Sequence, residues 1–141
     1  IYVHSLLGSR GSPELAAQRG IPRAINRATL DADALRRELA DPGSRRAQVL
    51  RALSGLLQRR RQCAAFDPSA PATALDAPNG TFAVRRDAED HTVHAWHELA
   101  GRTTEVNVPT PGRDLISGAD VGAGRVRLAP YQVLWVATGP S

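Results

Sequence analysis

Arg23, Asn26 and Arg27 are the residues of this chain best suited to chemistry. They are planar, fork-shaped hydrogen-bonding groups packed into five positions of a loop between two helices. An arginine so placed can donate paired hydrogen bonds to neighbouring sugar hydroxyls, or pair with a carboxylate or phosphate. The bland alternative is a structural arginine that ties the loop to backbone carbonyls. Other groups carry weaker signals. His91, His94 and His97 stand three apart. On a helix that spacing would make one ligand stripe. In a strand it puts His91 and His97 on one face and His94 on the other, so no metal site is expected. Cys63 is the one cysteine, so no internal disulfide exists, and it reads as a small, partly buried residue. Arg59-Arg60-Arg61 has no interleaved aromatics and reads as a solvated helix face rather than a nucleic-acid contact. Gly8-Ser9-Arg10-Gly11 precedes a helix start but lacks the spacing of a phosphate-binding fingerprint. No paired carboxylates and no nucleophile–His–acid set occur, so no residue of this chain is expected to be catalytic.

The elements that must position the loop are legible from pattern. Residues 1–5, Ile-Tyr-Val-His-Ser, read as a short buried strand. Ser12-Pro13-Glu14 is a helix start, with a hydroxyl cap, proline in the first turn and an acid near the positive helix end. Gly20 and Pro22 stop that helix and open the arginine loop, residues 20–30. A second helix is expected over 31–41 and a third over 45–63. In the third, Val49, Leu50, Leu53, Leu56 and Leu57 fall within an arc of roughly 120°. That arc calls for a larger partner than this chain offers. A loop that follows a strand and precedes a helix is where (β/α)8 barrels build their active sites.

Phe66-Asp67-Pro68 marks a boundary, because proline stops the helix. Residues 1–65 carry 12 Arg against 5 acids, and residues 66–141 carry 6 Arg against 9, so basic charge is concentrated in the helical half. The second half reads as six or seven short strands separated by turn signals such as Pro78-Asn79-Gly80 and Ala129-Pro130. Candidates are 73–75, 81–86, 92–97, 103–108, 113–116, 125–128 and 132–137. That spacing suggests an antiparallel sandwich or barrel. Trp135 and Tyr131 are expected to be buried in the closing strand.

At 141 residues with 42% hydrophobic and 23% charged residues, the chain is globular rather than disordered. No apolar run is long enough to cross a membrane and no secretory signal is visible, so the expected location is cytoplasmic. There is no Met, and the opening residues look like the inside of an element, so the chain reads as a piece of a longer protein. All 18 basic residues are Arg, to which no chemistry is assigned.

Three stretches together resemble a known family. They are Ile1-Tyr2-Val3-His4-Ser5-Leu6-Leu7-Gly8-Ser9-Arg10, Arg23-Ala24-Ile25-Asn26-Arg27, and Leu128-Ala129-Pro130-Tyr131-Gln132-Val133-Leu134-Trp135. In order and spacing they resemble the C-terminal portion of sucrose phosphorylase-like enzymes of the α-amylase superfamily, glycoside hydrolase family 13. The Arg-x-Ile-Asn-Arg loop is the most specific part. The resemblance implies an α+β fragment: the last strand–loop–helix unit of a (β/α)8 barrel, residues 1–65, then a small antiparallel β-sandwich domain, residues 66–141. It implies a parent enzyme that transfers an α-glucosyl unit to phosphate with retention, releasing α-glucose 1-phosphate. The catalytic Asp, the acid/base Glu and a third Asp would lie upstream, so the segment alone is expected to be inactive.

By the same resemblance Arg23 binds the glucosyl unit at the −1 subsite, with Asn26 and Arg27 in support. The implied partners are the α-glucoside and phosphate, the latter a co-substrate, with no cofactor or metal. Nucleic acid and membrane are not among them, and nothing fixes the oligomeric state. Gly11-Ser12 departs from the Asn-Asp common in the family, although Ser12 can still cap the helix. The His4-Ser5 version is closer to branches whose acceptors include glycerate-type or phosphorylated sugars. The competing reading is a non-catalytic β-sandwich module that binds carbohydrate through an aromatic platform.

Overall fold

The computed structural model describes residues 2–139, and these divide into two compact units, 1–57 and 58–141. The first is helical. It holds α1 (Val3–Leu6), α2 (Pro13–Arg19), a 3-10 turn (Pro22–Asn26), α3 (Ala32–Ala40) and most of α4 (Arg45–Gln62). The expected N-terminal strand is corrected here: Val3–Leu6 is helical, with Leu6 N–H donating to Tyr2 C=O and Leu7 N–H to Val3 C=O at 3.0 Å each. A strand leaves its backbone groups unpaired unless another strand lies beside it, whereas a helix pairs its own. No other strand occurs among the described residues of this unit, so the segment coils despite its β-branched and aromatic members.

The remaining helices begin and end where their caps dictate. Ser12 Oγ accepts from Leu15 N–H at 3.3 Å, with Pro13 in the first turn, and Gly20 closes α2 in the left-handed conformation at φ +63°. Asp31 caps α3 through Ala34 N–H at 2.7 Å. In α4 the apolar arc is only half-buried, and Ala47 is the one fully buried residue of the helix.

The second unit contains eight strands, β1 (Ala72–Ala74), β2 (Thr81–Ala88), β3 (His91–Glu98), β4 (Thr104–Val108), β5 (Gly112–Asp114), β6 (Asp120–Val121), β7 (Gly124–Leu128) and β8 (Val133–Thr138). Six form an antiparallel sheet in the order β1-β2-β3-β8-β5-β6, and β4 pairs with β7 as a separate two-stranded ribbon. Register puts Ala83, Trp96 and Leu134 in one row across β2, β3 and β8. That row meets Val106, Val108 and Leu128 of the ribbon to form the core. Leu128 is fully buried, worth about 1.5–3 kcal/mol by burial alone. On the opposite face of the sheet, Trp135 packs against Phe66 of a 3-10 turn (Ala64–Phe66), their ring centroids 4.8 Å apart. Strand β3 is therefore covered on both faces, and Val93 to Trp96 are all buried.

Two buried carboxylates fasten the ends of this unit. Glu98 accepts backbone N–H groups from Ala100, Gly101, Arg102 and Tyr131 at 2.7–3.3 Å. Burial raises its pKa, but the four donors outweigh that and hold it below the ordinary glutamate value. Asp114 accepts from the N–H groups of Ile116, Ser117 and Trp135 and from Ser117 Oγ. Tyr131 departs from expectation. It is 72% exposed, at φ +60°, with its ring laid over the bare Cα of Gly101. The turn after Pro130 needs the backbone of Tyr131 for Glu98, and this turns the side chain outward.

Candidate functional site

The arginine loop is held by its backbone. Pro22–Asn26 forms a 3-10 turn in which Ala24 N–H donates to Ile21 C=O and Arg27 N–H to Ala24 C=O, each at 2.9 Å. Ile25 C=O accepts from Ser12 N–H at 2.7 Å, joining the turn to the start of α2. Asn26 C=O accepts from the Tyr2 hydroxyl. Ala24, 2% exposed, is the apolar anchor. Gly11 lies against Ile25, and a Cβ there would come within 3.0 Å of Ile25 Cγ1, so the small residue permits the close approach. Arg46 of α4 fastens the segment before the loop, donating to Ser9 Oγ at 2.7 Å and to Glu38 at 2.6 Å.

This anchoring leaves the three polar side chains free. Arg23, Asn26 and Arg27 are exposed, and among the described residues none makes a side-chain hydrogen bond or ion pair. The bonds that fix the turn come from Tyr2 and Ser12, not from the arginines. What the turn presents is two unpaired guanidinium groups and a carboxamide on a fixed backbone. Such a set can donate to vicinal hydroxyls or to an anionic oxygen.

The histidines divide as a strand requires. His94 stacks on Trp96 of its own face, with centroids 5.9 Å apart, while His97 lies on the other face against Phe82 and Trp135. Burial lowers the pKa of both, and for His94 the Arg85 guanidinium adds to that. No cluster of three or more metal-ligating side chains occurs among the described residues. Of the Arg59–Arg61 run, Arg60 lies over the Phe66 ring at 6.0 Å from its centroid. No helix among the described residues is long and apolar enough to cross a membrane.

No protein-family model matches the chain. Curated proteins do. It is 35% identical over 136 residues to a glucosylglycerate phosphorylase of Allomeiothermus silvanus, covering 96% of this chain and 23% of that protein. The glucosylglycerate phosphorylase of Escherichia coli K12 is 32% identical over 139 residues, again 96% of this chain and 25% of the relative. The chain is a relative of these phosphorylases. The resemblance to sucrose phosphorylase-like enzymes of glycoside hydrolase family 13 therefore holds. A third glucosylglycerate phosphorylase, from Spirochaeta thermophila, is 41% identical over 92 residues, 65% of this chain and 16% of that protein. The chain spans a quarter or less of the length of these relatives.

Solved structures agree at the level of fold. An Anoxybacillus α-amylase superimposes with a TM-score of 0.63 at 13% identity, covering 83% of this chain and 25% of the amylase. An α-glucosyl transfer enzyme gives 0.57 at 21% identity, over 83% of this chain and 21% of its own. An α+β arrangement with an antiparallel sheet is thus shared with α-amylase-family enzymes.

Proposed function

We propose that this chain is the C-terminal part of a retaining α-glucosyl-transferring phosphorylase, one that releases α-glucose 1-phosphate from an α-glucoside and phosphate. The observation that carries the reading is the Arg23–Arg27 turn, fastened through backbone atoms with its polar side chains unspent, in a chain related to glucosylglycerate phosphorylases along 96% of its length. Arg23 donates to hydroxyls of the glucosyl unit, and Asn26 and Arg27 shape the rim around it. The reaction proceeds by double displacement. A carboxylate nucleophile outside this chain takes the glucosyl group as a carboxylic acid protonates the departing oxygen, and phosphate then accepts the group with return of the proton. Residues 1–65 complete the catalytic barrel and residues 66–141 form a small β-sandwich domain. Phosphate is a co-substrate and no cofactor or metal takes part. The segment alone turns over no substrate, and the enzyme acts in the cytoplasm. A glycerate-type acceptor fits both the His4-Ser5 pair and the names of the relatives.

The test is Arg23→Ala in the full-length enzyme, with phosphate-dependent release of α-glucose 1-phosphate from glucosylglycerate as the assay. Loss of a charged donor to a buried sugar hydroxyl lowers kcat/KM by about 2–5 kcal/mol in free-energy terms. An unchanged kcat/KM removes Arg23 from the glucosyl site.

A further inference from the structure

Beside Arg23 the helical unit gathers positive charge that none of its own acids offsets. Residues 8–12 and 22–27 form one surface. Ser12 N–H donates to Ile25 C=O at 2.7 Å, and a Cβ on Gly11 would lie 3.0 Å from Ile25 Cγ1 and 3.5 Å from Asn26 Oδ1. Arg10 precedes Gly11 and Arg27 follows Asn26, so the two arginines flank this contact. Both are exposed, and among the described residues neither side chain makes a hydrogen bond or ion pair. Every acid of residues 1–57 is engaged elsewhere. Glu14 accepts from the Ser12 hydroxyl, Asp31 caps α3, and Asp41 accepts from Gly43 N–H. Asp33 pairs with Arg36 and Glu38 with Arg46. Arg37 on α3 is also exposed and unpaired, but it stands on a helix face. Arg10, Arg23 and Arg27 stand on two loops bonded to each other.

The sign and the donor type select the ligand. A guanidinium donates and cannot accept, so it satisfies an oxyanion better than a hydroxyl, which has a proton of its own to place. Its planar fork matches the paired oxygens of a phosphate or a carboxylate. A bound anion would also offset the mutual repulsion of the three cations. With Arg23 on the glucosyl unit, its neighbours face the groups that enter and leave beside that unit. In the phosphorolysis proposed above, both of those groups are anionic: phosphate enters and glycerate leaves. We propose that Arg10 and Arg27 form the oxyanion site of the reaction, shared in turn by phosphate and by the carboxylate of glycerate. The assignment rests on the phosphorylase reading and adds to it the residues that hold the anion.

The test uses the full-length enzyme. Initial rates of α-glucose 1-phosphate release are measured against inorganic phosphate, and of glucosylglycerate synthesis against glycerate in the reverse direction. Arg10→Gln and Arg27→Gln should each raise the KM for phosphate by about tenfold or more, the effect of losing a charge-assisted contact. The KM for glycerate should rise with it, and kcat at saturating phosphate should fall far less than kcat/KM. Arg27→Lys keeps the charge without the fork and should recover part of the loss. Arg37→Gln removes the same charge from α3 and should leave both KM values within about twofold. All three positions are exposed and unpaired, so the fold is not at stake. A rise for one anion alone assigns the site to that anion. A parent enzyme that releases no α-glucose 1-phosphate overturns this assignment together with the phosphorylase reading. With release intact in the parent, an unmoved KM for both anions in the two Gln variants, or an equal rise in Arg37→Gln, overturns this assignment alone.

Discussion

Asp114→Asn offers a quantitative test of how the β unit is held together. The carboxylate is 5% exposed and takes four hydrogen bonds. Oδ1 accepts Ile116 N–H at 3.2 Å and Trp135 N–H at 3.1 Å, while Oδ2 accepts Ser117 N–H at 3.0 Å and Ser117 Oγ at 2.6 Å. One of these bonds reaches β8, so the side chain pins the turn after β5 to the middle of the sheet. Asparagine has one acceptor oxygen. Placed at Oδ1, it keeps two backbone donors and turns its amide N–H group toward Ser117 N–H. The hydroxyl can rotate to accept, but the backbone donor cannot. An unsatisfied buried donor costs about 1–3 kcal/mol, and the two retained bonds each lose part of their charge-assisted strength. The opposite rotamer strands two backbone donors and is worse. The expected loss is about 2–4 kcal/mol. At a urea slope of about 1–3 kcal/mol/M this lowers the midpoint by roughly 0.7–4 M with the slope unchanged. Both tryptophans, Trp96 and Trp135, lie in this unit, so intrinsic fluorescence reports its unfolding. Ser117→Ala, which removes only the hydroxyl, should cost about 1 kcal/mol. A midpoint for Asp114→Asn within error of the parent would refute the assignment of the turn to this carboxylate.

Leu128→Ala should destabilise the same unit by about 2–5 kcal/mol, because Leu128 is fully buried between the ribbon and the sheet; chemical denaturation measures it, and a loss under about 1 kcal/mol would contradict the packing. Glu98 has a folded pKa below its unfolded one, so the unfolded state binds the extra proton. Its contribution is complete above the ordinary glutamate pKa and is lost as pH falls through the depressed folded value. Acid titration of stability should therefore show a loss below about pH 4.5 that Glu98→Gln makes shallower. His94 and His97 are likewise depressed, His94 by burial and Arg85, and His97 by burial. Their contribution is full above about pH 6.5 and declines as pH falls below it; NMR titration of the imidazole resonances should give midpoints below that of an exposed histidine, and a value at or above it would refute the direction.

The helices were legible because their signals are local. A capping serine, a first-turn proline and a closing glycine bound α2 at Pro13–Arg19, and the leucine arc set α4 to within a residue of the expected span. The strands from β2 to β4 were legible for a similar reason: alternation and turn residues lie within each segment. What failed depended on partners distant in sequence. The apolar opening residues need neighbouring strands to be a strand, and none occurs among the described residues of their own unit. Strand β6 is two residues long and exists only as the partner of β5, so no internal pattern announces it. Tyr131 looked like core by type, yet its conformation is dictated by Glu98, thirty-three positions away. The buried carboxylate at Glu98 had no signature either, since a glutamate at a strand end is ordinary until four amide groups converge on it.

The candidate site shows the same division between type and place. Residue types in Arg23-Ala24-Ile25-Asn26-Arg27 gave the chemistry, and the three polar members, Arg23, Asn26 and Arg27, are surface groups while Ala24 is buried. What the sequence did not disclose is the manner of fixation. Tyr2 and Ser12 reach the turn through Asn26 C=O and Ile25 C=O, so the loop is ordered by groups that contribute nothing to its polar face. This separation matters for recognition. A guanidinium spent on its own loop has fewer donors left for a ligand, and freeing it on binding would cost those bonds. Here the backbone bonds order the turn before any ligand arrives, and only the rotamer freedom of the arginines remains to be lost, about 0.5–1.5 kcal/mol for each side chain immobilised. A turn assembled this way is preorganised in its backbone and open in its side chains, which suits the sugar contact proposed for Arg23.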